Sequence, residues 1–124
     1  MDVQFDGSDL LAEAAQLIQV NEKIENAAKI RLKEAAFTAK RNIQTRMPVD
    51  TGAAKSSWGA EGESGIFTFS SDGLEHTQGS KLPYVNRLNE GWSSQAPAGF
   101  IDAEAEKAKT LMVNNLLSDL GQIL

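Results

Sequence analysis

One stretch, residues 8–46, limits what this chain can fold into. Ser8 and Asp9 supply N-cap chemistry, and Pro48 stops the run two residues after Arg46. Between them Leu17, Val20, Ile24, Ala28, Leu32, Ala35, Ala39 and Ile43 recur at helical spacing. The pattern predicts a long N-terminal helix. Fully helical, it would run about 57 Å at 1.5 Å per residue. A compact domain of this length is only about 35 Å across. The helix is therefore expected either to break, with the region of Asn21 as candidate, or to overhang and dock on another subunit. Ile30 and Phe37 point the same way. They lie one heptad apart and about 140° or more around the helix from the main stripe. A helix that packs only on its own sheet needs one apolar stripe. A second, short stripe predicts a second contact and makes Ile30 and Phe37 candidate interface residues.

The 124 residues are read as one domain, 1–124. Apolar residues make up 41% of the chain, but sixteen of them are alanine. The core is expected to be thin, with a partner surface completing it. The chain has no cysteine, which excludes thiol catalysis, disulfides and cysteine-ligated zinc. With one histidine, it cannot build a multi-histidine metal centre on its own. No apolar run reaches membrane-spanning length, and residues 1–9 lack the pattern of a signal peptide. No membrane contact is expected, and the setting is the cytosol or a particle assembled there.

The net charge of −5 is unevenly placed. Residues 1–22 carry five acids and no base; residues 23–46 carry seven bases against Glu25 and Glu34. Acid first and base last suits the dipole of one long helix. The alternative reading is a basic face, Lys29, Lys33 and Lys40, aimed at phosphate or at an acidic neighbour. An acidic domain makes a poor general DNA binder, because affinity for a duplex comes mainly from neutralising phosphates.

Beyond Pro48, the run Pro48 to Ala54 reads as a turn, with Asp50 accepting from following amides and Gly52 free to take a positive φ. Lys55–Glu61 and Ile66–Ser71 are strand candidates joined through residues 62–65. Phe67 and Phe69 would share a face, with Trp58 as their cross-strand partner. Leu74–Thr77 is a candidate third strand, and polar Thr77–Lys81 a mobile loop. Tyr84–Glu90 reads as a short helix closed by Gly91. A loop containing Trp92 and Pro97 then leads to an amphipathic helix, Phe100–Leu120. The predicted class is α+β: long N-terminal helix, small antiparallel sheet, short helix, and a C-terminal amphipathic helix packed on the sheet.

Little of this reads as catalytic. Asp50-Thr51-Gly52 is also the triplet of aspartic proteases, where two such carboxylates share a proton. There the triplet follows an apolar strand in a nearly all-β chain; here it follows a helix and a proline, so a turn-capping role is the better reading. His76, beside Glu75, reads as a solvated histidine. No phosphate-binding glycine loop and no Gly-x-Ser-x-Gly occurs. The reading assigns no catalytic residue, no metal ligand and no cofactor.

Two segments together carry a resemblance. The first is Arg46-Met47-Pro48-Val49-Asp50-Thr51-Gly52 followed by Ala53-Ala54-Lys55-Ser56-Ser57-Trp58. The second is Tyr84-Val85-Asn86-Arg87-Leu88-Asn89-Glu90-Gly91-Trp92-Ser93, then Gln95-Ala96-Pro97-Ala98-Gly99-Phe100-Ile101. In this order the pair resembles the tail-completion, or neck, proteins of long-tailed bacteriophages, including those of the minor tail protein Z-like and head–tail joining type. The resemblance implies a non-enzymatic virion subunit, with Pro48, Asp50, Thr51, Gly52, Tyr84, Glu90, Gly91, Pro97 and Phe100 as its structural motif. It further implies self-association into a ring, commonly a hexamer. Such a ring links the tail tube or terminator protein to the head–tail connector, and the genome passes through its lumen. Ile30, Phe37, Trp92 and the outer face of the last helix are the candidate contacts between subunits. The lumen is expected to be acidic, so that the duplex slides without sticking. The competing readings are a tail-terminator ring that caps the tube and a DNA-binding module using the basic helix face.

Overall fold

The computed structural model describes residues 1–8, 11, 22–48, 52–93 and 96–123. In chain order it contains β1 (Asp2–Asp6), α1 (Glu22–Arg46), α2 (Ala53–Ser57), β2 (Gly65–Phe69), β3 (Glu75–Ser80), α3 (Pro83–Asn89) and α4 (Phe100–Ile123). The class is α+β, with a long helix toward the N-terminus, a three-stranded antiparallel sheet, a short helix and a long C-terminal helix. α1 is 25 residues long; Gly7, Ser8 and Leu11 are helical as well, and Asp6 rather than Ser8 does the capping, its carboxylate accepting from the Ser8 amide at 2.9 Å. The expected break near Asn21 lies outside the described residues, as do Asp50 and Thr51.

The sheet order is β1-β3-β2, so β3 is central. β1 was not expected. It alternates cleanly, with Asp2 and Gln4 exposed and Val3 and Phe5 buried, and its antiparallel pairing with β3 sets Phe5 opposite His76. β2 flanks the other side, with Phe69 also opposite His76 and Phe67 opposite Gln78. One sheet face, carrying Val3, Phe5, Phe67, Phe69, His76 and Gln78, therefore turns toward the helices.

Two strand assignments need correction. Thr77–Lys81 is not a mobile loop: residues through Ser80 form the middle of the sheet. A polar strand is tolerated there because its buried side chains are bonded. Trp58 Nε1 donates to Gln78 Oε1 at 2.8 Å, Gln78 Nε2 donates to the Ala36 carbonyl at 2.8 Å, and the Ser57 and Ser80 hydroxyls meet at 2.6 Å. Lys55–Glu61 is not a strand either. Ala53–Ser57 is a turn and a half of helix, entered from Gly52 at φ +75°, and Trp58 and Gly59 turn the chain out of it. Trp58 is fully buried and bonded to Gln78, so it is not an exposed cross-strand partner of Phe67 and Phe69.

Beneath the sheet, α1 and α4 run antiparallel. Ala35 and Ala39 of α1 and Ala105 and Ala108 of α4 join one buried cluster, and their small side chains let the backbones approach closely. Ile24, Leu32 and Ile43 complete the buried stripe of α1, as its periodicity predicted. Two charged contacts tie the pair at points far apart: Arg31 to Asp119 and Arg46 to Glu104.

Candidate interaction surface

The residues singled out for contacts fall at two places. At the first, α1 passes under the edge strand β2. Ile30 is 59% exposed and Phe37 50% exposed, two turns apart on the outer face of α1. Phe37 does not stand alone. Its ring centroid lies 5.2 Å from that of Phe67, which is 5.6 Å from that of Phe69, itself 39% exposed. Strand alternation puts Phe67 and Phe69 on the helix side of β2, where the outer face of α1 meets them. The Lys40 ammonium sits 4.9 Å above the Phe67 ring, and Lys33 is exposed one turn before Phe37. The result is an aromatic patch rimmed by lysines. Of the anticipated basic face, Lys29 instead pairs with Glu25 at 3.4 Å, while Lys33 and Lys40 make no ion pair among the described residues.

His76 underpins this patch and is not solvated, as its polar neighbourhood in the sequence had suggested. It is 1% exposed, with ring centroids of Phe67 and Phe69 at 4.7 and 4.6 Å. Its Nδ1 is 2.9 Å from the Thr68 carbonyl, which can only accept, so Nδ1 carries the proton. Its Nε2 is 2.9 Å from Gln78 Nε2, which donates, so Nε2 is unprotonated. The imidazole is thus held neutral. Burial pushes its pKa down from 6.5 to about 4, against a smaller opposing effect of the Thr68 carbonyl. Trp58, Gln78 and His76 form one bonded chain between α2, β3 and β2, and the backbone of α1 at Ala36 is tied into it.

The second place is the joint between α3 and α4. Pro83 opens α3, Glu90 is its C-cap, and Gly91 follows at φ +95°. Phe100 is buried at the start of α4, while Pro97 and Tyr84 are exposed. Asn89 ties the joint together. Its side-chain oxygen accepts from the Ile101 amide at 3.0 Å, its amide donates to Asp102 at 2.9 Å, and its carbonyl accepts from the Gly99 amide at 2.6 Å. Sequence reading passed over Asn89 in favour of Glu90; an Asn in the last turn of a short helix before Gly was the available signal. Trp92, 66% exposed, stacks on the Arg87 guanidinium at 4.9 Å.

The structure therefore brings Ile30 and Phe37 onto one face and leaves Trp92 elsewhere. Trp92 belongs to the end of the helix pair marked by Arg46 and Glu104, and Ile30 to the end marked by Arg31 and Asp119. Leu111 and Leu117 on α4 are also largely exposed. Pro48 is buried beside the corner that Gly52 turns. Among the described residues no group of His, Asp and Glu is arranged to hold a metal ion, and no helix is long and apolar enough to cross a membrane. Comparison with protein-family models, curated proteins and solved structures finds no match to this chain.

Proposed function

We propose that this chain is a structural subunit of a bacteriophage neck or tail ring, acting in tail completion and head–tail joining. Copies associate into a ring, of six as the resembled family suggests, that seats between the tail tube or terminator and the head connector. DNA is present only as the genome passing through. The observation that carries the reading is the Phe37–Phe67–Phe69 patch at the α1–β2 corner, where three neighbouring aromatic rings stand at least partly in water. Exposed apolar clusters of this kind mark protein contacts. The two-segment motif and the element order support the same reading, because the helix, sheet, short helix and final helix follow in the order that the resemblance implies.

The test is the mass of the purified chain, alone and mixed with tail or connector extract, together with particles made without it. A ring-sized species and particles with detached tails are expected. Firmly attached, infectious tails in its absence would overturn the assignment.

A further inference from the structure

Among the described residues nothing pairs with either outer edge of the sheet, and the two edges differ in chemistry. In β2 the amide of Ser70 donates to Glu75 and the amide of Lys81 donates to Ser64. The register therefore turns the peptide groups of residues 64, 66, 68 and 70 toward β3, and those of Phe67 and Phe69 away from it. In β1 the bonds of Met1 with Ser80 and of Gly7 with Leu74 fix the opposite parity. Asp2, Gln4 and Asp6 turn their peptide groups outward. No hydrogen bond among the described residues reaches these outward groups of either strand.

The surroundings of the two edges are complementary. Beside β2 lie Phe37, Phe69, Lys33 and Lys40, with Lys81 and Glu61 toward its Gly65 end, so this edge is aromatic and on balance basic. Beside β1 the strand supplies Asp2 and Asp6. Lys109 of α4 places its ammonium 5.4 Å from the Phe5 ring, which identifies the side of α4 that flanks β1. Glu106, paired with that lysine, and Asp102, Val113 and Leu117 follow at helical spacing on the same side. This edge is thus acidic, with an exposed leucine.

We infer that the β2 edge of one copy takes the β1 edge of the next, in parallel, so that the sheet runs on from subunit to subunit. Pairing β1 with β1 sets Asp2 and Asp6 against their own kind, and pairing β2 with β2 opposes lysines. Only the unlike pair brings opposite charges together while Phe37 and Leu117 are covered. Because β1 and β2 are both antiparallel to β3, they point the same way, and a repeated sheet makes the new pair parallel. Such a contact joins two different surfaces, the kind that closes into a ring when the rotation allows. The inference rests on the ring reading and specifies its joint.

Edge-blocked variants test it. Proline removes an outward amide without breaking a bond to β3 at Phe69 or at Gln4. Phe69→Pro alone and Gln4→Pro alone, each checked for the wild-type circular dichroism spectrum, are expected to stay monomeric by light scattering. Mixed one to one, they are expected to form a two-chain species and stop there, since one good edge of each kind remains. A dimer from Gln4→Pro alone would show β2–β2 pairing, a dimer from Phe69→Pro alone β1–β1 pairing, and either overturns the inference. If both variants assemble like wild type, the edges are not the joint, although the ring reading stands. A wild-type chain that is monomeric alone and with extract overturns the ring reading as well. Should a proline variant fail to fold, cysteines decide. The chain has none, and Gln4 and Thr68 both lie opposite Thr77, level on the outer face. Gln4→Cys with Thr68→Cys is expected to oxidise to a ladder of linked chains, and each single variant to none. A wild-type assembly whose double variant gives no ladder overturns the inference.

Discussion

Arg31 grips Asp119 with two parallel bonds, Nε to one carboxylate oxygen at 2.7 Å and Nη2 to the other at 2.8 Å, and so joins α1 to the last turns of α4. Eighty-eight residues separate the two in sequence. The planar guanidinium matches the carboxylate edge on, which a lysine cannot do. Arg31→Lys is therefore expected to lower the melting temperature measurably, and Asp119→Asn to do so by a similar margin. The double variant should lose less than the two singles summed. Additive losses would show that the pair is not coupled. Arg31 also holds the Asp119 carboxyl below its usual range, and Arg46 does the same for Glu104. Both contributions are present at neutral pH and fade as the pH falls below about 4.

A separate acid sensitivity belongs to His76. In the fold it stays neutral down to about 4, whereas the unfolded chain protonates near 6.5. Between those values the unfolded state binds the extra proton, so stability is full above about pH 6.5 and declines toward pH 4. The loss at the acid end is about 3 kcal/mol at 1.4 kcal/mol per unit. Urea denaturation at pH 7.5 and pH 5 reads about 2 kcal/mol of it, and His76→Gln should flatten the profile in that window. A wild-type midpoint unchanged across the window would contradict the neutral imidazole.

Trp58→Phe keeps most of the buried volume and removes one donor. Gln78 Oε1 then loses its 2.8 Å bond in a dry setting. A cost of about 1–3 kcal/mol is expected from the unsatisfied oxygen. Urea denaturation reads it, and an unchanged midpoint in Trp58→Phe would show that this bond contributes nothing net.

Two glycines are expected to respond differently to alanine. At Gly52 a methyl group meets nothing, but φ is +75°, so Gly52→Ala should cost about 1 kcal/mol of backbone strain and β-branched Gly52→Val more. At Gly65 a methyl group would overlap the backbone of Ser57 and Ala60. Gly65→Ala should therefore pull β2 away from the α2 corner and destabilise far more strongly. Equal melting temperatures for the two alanine variants would refute the distinction.

Phe37→Ser with Ile30→Ser should cost only about 1–2 kcal/mol of stability, because both side chains already stand half in water and one ring contact, to Phe67, is lost. It should sharply weaken self-association, measured as a shift of the sedimentation boundary toward monomer.

Much of this was legible beforehand, for identifiable reasons. The stripe from Ile24 to Ile43, the exposed Ile30 and Phe37, the α3 cap at Gly91 and the final helix all follow from local periodicity or from one special residue. What stayed hidden depends on distant partners. The first half of β3 was legible as the candidate strand Leu74–Thr77, but its second half, through Gln78, Gly79 and Ser80, reads as a loop; only Trp58 and Ala36 make Gln78 a sound interior residue. β1 is five residues long, and its alternation is too short to stand out until β3 is placed beside it. Trp58 read as a strand residue because aromatics favour strands, yet the alanines before it form a helix. Arg31 and Asp119 carry no local sign that they meet.

The placement of β1 also sets an order of events during folding. β2 and β3 are joined by a five-residue turn and can zip together at once, whereas Asp2 must find Gly79 across most of the chain. β1, first of the three strands in chain order, is thus expected to dock last, leaving the other flank of β3 unpaired with it until then. A φ-value near zero at Val3, set against a substantial one at Ile66, is the kinetic signature to look for.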